Sequence, residues 1–140
     1  MNRQEHFEKV IARARARPNL TVHDTRAPLD ANGQLVRASY VVLHDLGPDD
    51  VHTRFSERRS VDVSRTMRVV GRCVGVDPAA ARRVATAFAA QMDGYELIVT
   101  GRKCWPITID DESDVKDDDK VSPPLSYVDV DLVYRSDPIG

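Results

Sequence analysis

The chain is poor in the residues that announce a chemistry. Only two of its 140 residues are cysteine, Cys73 and Cys104. That is enough for one bridge but not for the disulfide framework that staples small secreted domains, so a reducing, cytoplasmic setting is expected. Aromatic residues make up 6% of the chain, with a single tryptophan, too few for a sheet that stacks nucleic-acid bases. No apolar run approaches the ~18 residues of a membrane span. The opening "MNRQEHFEKVIARARARPNL" lacks the continuous apolar segment of a secretory signal, and Glu5 and Glu8 speak against an organelle transit peptide.

Catalytic and metal-binding signatures are also missing. The sequence contains no phosphate-cradling glycine loop, HExxH, GxSxG or CxxC. The histidines, His6, His23, His44 and His52, are scattered singly. No spacing among Cys73, Cys104, His23 and His44 matches a zinc module, which leaves buried thiols and surface imidazoles as the expectation. No cofactor or metal is expected.

What the chain does have is organisation. With 41% hydrophobic and 30% charged residues, it reads as one globular domain over 1–140 that can bury its own core. The net charge is −2, but residues 110–140 hold ten carboxylates against three bases, a balance of −7, so the remainder carries +5. A free nucleic-acid binder is usually basic overall.

Residues 2–17 read as a helix, with Phe7, Val10, Ile11 and Ala14 on one stripe and Arg13, Arg15 and Arg17 mostly off it. Those arginines suit the helix C-terminus, and Pro18 ends the helix. Strands are predicted over 20–24, 36–46 and 60–76. A Pro-Asp-Asn-Gly turn precedes the second, and a polar loop over 47–59 follows it. In the third, Val61, Val63, Met67, Val69 and Cys73 share a side interrupted by Arg65, and Gly71 and Gly75 predict a bend or bulge. Asp77 and Pro78 open a second helix with Ala81, Val84, Ala85, Phe88 and Met92 on one face, and Gly94 terminates it. A strand over 95–100 follows, then a loop and short strand over 101–110 and an acidic loop over 110–122.

The chain ends on "LSYVDVDLVYRSDP", whose period of two sets Val128, Val130, Leu132 and Tyr134 against Tyr127, Asp129, Asp131 and Val133. Strands dominate and the helices are separated. The expected class is α+β, a mixed or antiparallel sheet of about five to six strands flanked by two main helices.

The candidate site residues are all charged. "DDESDVKDDDK" offers oxygen ligands, but it lacks the central Gly and terminal Glu of a calcium loop and includes Lys116. A solvated loop or an interaction surface around Asp117, Asp118 and Asp119 is the plainer reading. Asp129 and Asp131 share a strand face, which fits a carboxylate pair or the wet side of an antiparallel strand. Arg82 and Arg83 fit phosphate contacts, a partner contact, or exposed helix positions. Trp105, before Pro106, reads as a core anchor or loop plug rather than a stacking platform. Opposite charges in separate parts of one chain would let the basic part of one copy meet the acidic part of the next in a head-to-tail contact.

The order of these pieces carries a resemblance over about the whole chain. A "YVVL" strand leads to "VDVSRTMRVVGRCVGVDPAAARRVATAFAAQMDGYELIV", a variable charged loop and the alternating "LSYVDVDLVYRSDP". This is similar to the tail terminator (tail-completion, neck) proteins of long-tailed bacteriophages. The resemblance implies a small α+β domain that forms a hexameric ring, without a cofactor or a catalysed reaction. The ring sits on the head-proximal end of the tail tube, stops tube polymerisation and docks the head-closure or neck protein. DNA passes through its channel without sequence-specific binding. It implies a virion protein, in the host cytoplasm before assembly, with no membrane partner. The family offers no invariant site to carry over. The apolar face of the last strand would then pack under the helices, and its acidic face would turn to a neighbour or to the channel, where it would repel DNA phosphates. Another neck component, a head-closure or head–tail adaptor protein, fits the same patterns. A nucleic-acid module built on Arg13, Arg15, Arg17, Arg82 and Arg83, and a small hydrolase built on Asp129, Asp131 and a histidine, are the readings of other classes.

Overall fold

The computed structural model describes residues 2–50 and 64–139. Helix α1 spans Arg3–Arg15. Asn2 caps it, its side chain accepting a hydrogen bond of 2.9 Å from the Glu5 backbone N–H. The helix stops short of Pro18, whose ring disfavours helical geometry in the residue before it. Its expected stripe, Phe7, Val10, Ile11 and Ala14, is buried, and so is His6. Helix α2 spans Pro78–Met92, with the Asp77 carboxylate accepting from Ala80 N–H at 2.7 Å. Ala81, Val84, Ala85, Phe88 and Met92 are buried as their spacing predicts. Gly94 ends the helix at φ +80°, a backbone region glycine enters without strain.

Among the described residues seven strands build one mixed sheet curled into a half-barrel, one or two strands more than the sequence predicts. β1 is Val22–Asp24, β2 Tyr40–Asp50, β3 Arg65–Gly75, β4 Arg102–Cys104, β5 Thr108–Glu112, β6 Lys116–Asp118 and β7 Leu125–Pro138. The path runs β1-β2-β3-β7. Among the described residues only β1, alongside β2, pairs in parallel. The far edge of β7 is shared end to end. β6 pairs Leu125–Tyr127, β5 pairs Val130–Val133 and β4 pairs Ser136–Pro138.

Several boundaries differ from expectation. Residues 47–50 continue β2, past a bulge between Asp45 and Gly47; the rest of the predicted 47–59 loop, with Val61 and Val63, lies outside the described residues. The β2 ladder begins at Tyr40, because the turn chemistry around Asp30 extends further than its residues indicate. Residues 95–100 form no strand. Their β7-like alternation buries Leu97 and Val99 in the main core, while the Gly94 N–H donates to the Ile107 carbonyl and the Ile107 N–H to the Tyr95 carbonyl without extending into a ladder. The predicted acidic loop is interrupted by strand at 110–112 and at Lys116–Asp118, because the open edge of β7 offers its backbone groups as partners to β5 and β6, and the remainder is loop. Trp105 is no core anchor. It is 48% exposed, and its indole N–H donates to Asp137 at 2.8 Å.

The β ladders fix two faces. Cys73, Val128 and Val41 share one row, and Gly71, Val130 and Leu43 the next. This face, with Met67, Val69, Leu132 and Tyr134, is buried beneath both helices. The other face carries Arg68, Val70, Arg72, Asp129, Asp131 and Val133, and among the described residues no helix covers it. Gly71 marks close approach and not the predicted bend: a Cβ there would sit 2.4 Å from a ring carbon of Phe88. Gly71→Ala is therefore expected to overpack the core and cost about 1–3 kcal/mol, read as a lower denaturant midpoint. Adding Phe88→Leu should recover part of it. A neutral Gly71→Ala would contradict this packing.

Candidate functional site

The predicted basic residues separate into two groups. Arg13 and Arg15 are structural. The Arg13 Nε–H donates to the Gln91 carbonyl at 2.9 Å and its guanidinium lies 4.1 Å over the Tyr95 ring, clamping α1 to α2. Arg15 donates to the Val22 carbonyl at 3.2 and 3.1 Å, holding β1 to α1. Arg17 instead joins Arg82 and Arg83 around a shallow depression floored by Thr86, Ala87 and Ala90. Arg82 and Arg83 are exposed on the outer side of α2. None of these three has an ion-pair partner among the described residues.

The acidic candidates divide between the two faces. Asp117 and Asp118 alternate on β6. Asp117 accepts from the Ser126 hydroxyl at 2.9 Å on the helix side, Asp118 faces the open side near Tyr40, and Asp119 is exposed beyond the strand. They form no joint site. Asp129 is gripped by Arg72 through two hydrogen bonds of 2.9 and 3.2 Å, and the Arg72 guanidinium lies 4.2 Å over Tyr127. Asp131 lies beside it, opposite Asp111 on β5. Arg68 reaches Asp110 at 3.3 Å. Partial burial and then the charges of Asp111, Asp129 and Asp110 push the Asp131 carboxyl above its usual range, with Arg68 pulling the other way. Acid therefore outweighs base in the middle of the open face. Among the described residues no cluster of metal-ligating side chains occurs, and Cys73 and Cys104 are both free and buried.

At one end of the open face the segment 25–36 folds over the sheet. Tyr40, Val42, Val74 and Leu125 make a second small core there with Ala27 and Leu35. A cleft of about 220 Å³ remains beside them, with Arg72 and His44 at its rim.

A buried polar chain at the opposite end was not anticipated. His6 is fully buried, stacked near Tyr134. Its Nδ1 lies 2.7 Å from the Asn2 carbonyl and its Nε2 2.8 Å from Ser136 Oγ. The buried Arg102 donates to the same Oγ at 3.0 Å and to the Ser136 carbonyl at 2.8 Å. A carbonyl only accepts, so Nδ1 carries the proton and Nε2 accepts from Ser136. Desolvation, with Arg102 adding to it, lowers the His6 pKa against the opposing Asn2 hydrogen bond. The neutral imidazole thus ties α1 to the end of β7. Two signals in the sequence point to this pair. His6 lies four residues before Val10 and eight before Ala14, and Ser136 continues the even alternation of β7.

The fold has solved counterparts. A chain from the virion of a native gene transfer agent particle superposes with a TM-score of 0.66 at 15% identity, covering 92% of each chain. A second solved chain, of unstated function, gives 0.64 at 15% identity over 98% of this chain and 94% of its own. The shared feature is the fold, over nearly the whole chain. Neither a protein-family model nor a curated protein matches the sequence.

Two titrations follow from this geometry. A histidine with a lowered folded pKa contributes stability that is complete above its unfolded value of about 6.5 and is lost as pH falls below it. His6→Gln should flatten the rise of thermal midpoint with pH in the range below about 6.5; an unchanged slope would contradict the assignment. Asp131 has the opposite sign. Its raised folded pKa favours folding at low pH, and that advantage is lost as pH rises through it. Asp131→Asn should therefore raise the thermal midpoint at pH 7, with the gain fading by pH 3.

Proposed function

We propose that this chain is a structural virion protein of a long-tailed phage or phage-like particle, and that it acts as a tail terminator. The observation that carries the proposal is the fold, shared over 92% of both chains with a component of a gene transfer agent virion. The order of elements in the sequence, which resembles tail terminators from α1 to β7, supports the finer reading. In it, copies of the chain close a hexameric ring on the head-proximal end of the tail tube. The ring ends tube growth and offers its free side to the neck. A small two-layer domain whose second sheet face carries no helix among the described residues suits this work, because ring subunits need a broad rigid surface on each side. The role is one of shape and contact, with no bond made or broken.

The experiment is polymerisation of a tail-tube protein from the same phage or particle, with and without the purified protein. Tubes of limited length, capped at one end by a ring of about hexamer mass, are the expected result. Tubes that bind the protein and keep growing would instead favour a head-closure or adaptor protein. Tubes that neither bind it nor stop would overturn the proposal.

A further inference from the structure

The two faces of this domain are charged unequally and in opposite senses. On the outer side of the helix layer, Arg17, Arg82 and Arg83 stand together without an ion pair among the described residues. On the far side of the sheet, Asp110, Asp111, Asp129 and Asp131 crowd around Arg68 and Arg72. In this central patch four carboxylates face two guanidinium groups and leave a local negative surplus, with half-buried Val70 and Val133 among them, while Lys116, opposite Tyr127, and the Arg135–Asp137 pair lie further along the same face.

We infer that the open sheet face is a subunit contact, and that it receives the arginine-bearing outer side of α2 from a second copy of this chain. This rests on the assembling role proposed above and names the surfaces that would perform it. Charge complementarity selects the occupant: the negative surplus on one face is opposite in sign to the arginines on the other, which have no ion-pair partner among the described residues. Position selects the symmetry. Patches on opposite sides of a two-layer domain meet head to tail, a contact that repeats from copy to copy and closes a ring when the rotation allows. Arg82 also looks across a groove to Glu112 and Asp114 of its own chain. A contact centred on that corner would be two-fold instead, and would stop at a dimer.

The test is a charge exchange. Arg82→Glu with Arg83→Glu makes one variant, Asp110→Lys with Asp111→Lys a second, and all four together a third. These positions are exposed, and thermal midpoints check that each variant folds. Assembly is followed by native mass against concentration at low salt, and on tail tubes if the parent is monomeric in solution. Each double variant should weaken assembly by roughly a hundred-fold, the scale of like charges forced together across an interface. The quadruple variant should regain it. Double variants that assemble like the parent would overturn the inference, as would a quadruple variant that stays apart or a parent that stops at a dimer. Variants that cap tubes as the parent does would sink this contact while leaving the terminator role standing.

Discussion

The fold depends on the pairing of β7 with β3. The two strands run antiparallel from Arg65 opposite Ser136 to Gly75 opposite Ser126 without a register shift. A slip by one residue would turn Val128, Val130, Leu132 and Tyr134 to water and drive Asp129 and Asp131 under the helices. That cost locks the register, and the register then places everything else. It sets Gly71 beneath Phe88 so that α2 can lie close, and it brings Ser136 to His6. It also leaves β7 a full open edge along which three short strands dock in succession.

The same strand explains why the two faces differ. Its even residues from Val128 to Tyr134 are apolar and lie in the core beneath the helices. Its odd residues from Tyr127 to Val133 are Tyr127, Asp129, Asp131 and Val133, and no helix of the described residues covers them. Placing carboxylates from β5 opposite carboxylates of β7 is unfavourable for the isolated domain, since like charges directly across a ladder repel. Arg68 and Arg72 offset part of that repulsion; burial first, and then the charges of Asp111, Asp129 and Asp110, hold the Asp131 carboxyl above its usual range. A surface that lowers the stability of its own fold makes sense where another surface of opposite sign compensates it.

Much of this was legible in the residues. The period of two in β7 and the helical stripes of α1 and α2 rest on local chemistry, and they appear as read. The failures have a common cause, because each depended on a partner far away in sequence. Residues 95–100 alternate like a strand but find no ladder, since the edge of β7 is already occupied. The acidic stretch looks like a solvated loop because carboxylates have poor strand propensity, yet the β7 edge overrides that preference. Arg13 and Arg15 looked like surface cations, and their roles as clamps appear only with Tyr95, Gln91 and Val22 in place. His6 and Ser136 were visible as periodic positions. Arg102, which completes their chain, sits on a strand too short to carry a signal.

The central claim is that the uncovered sheet face exists for assembly. A cryo-electron microscopy reconstruction of the protein seated on a tail tube tests it most directly. The account predicts a ring in which Asp111, Asp131 and Val70 of each subunit lie against the outer side of α2 of its neighbour, with Arg82 and Arg83 at that contact. A ring whose sheet face looks into solvent or the channel, with α2 turned to the outer rim, would contradict it.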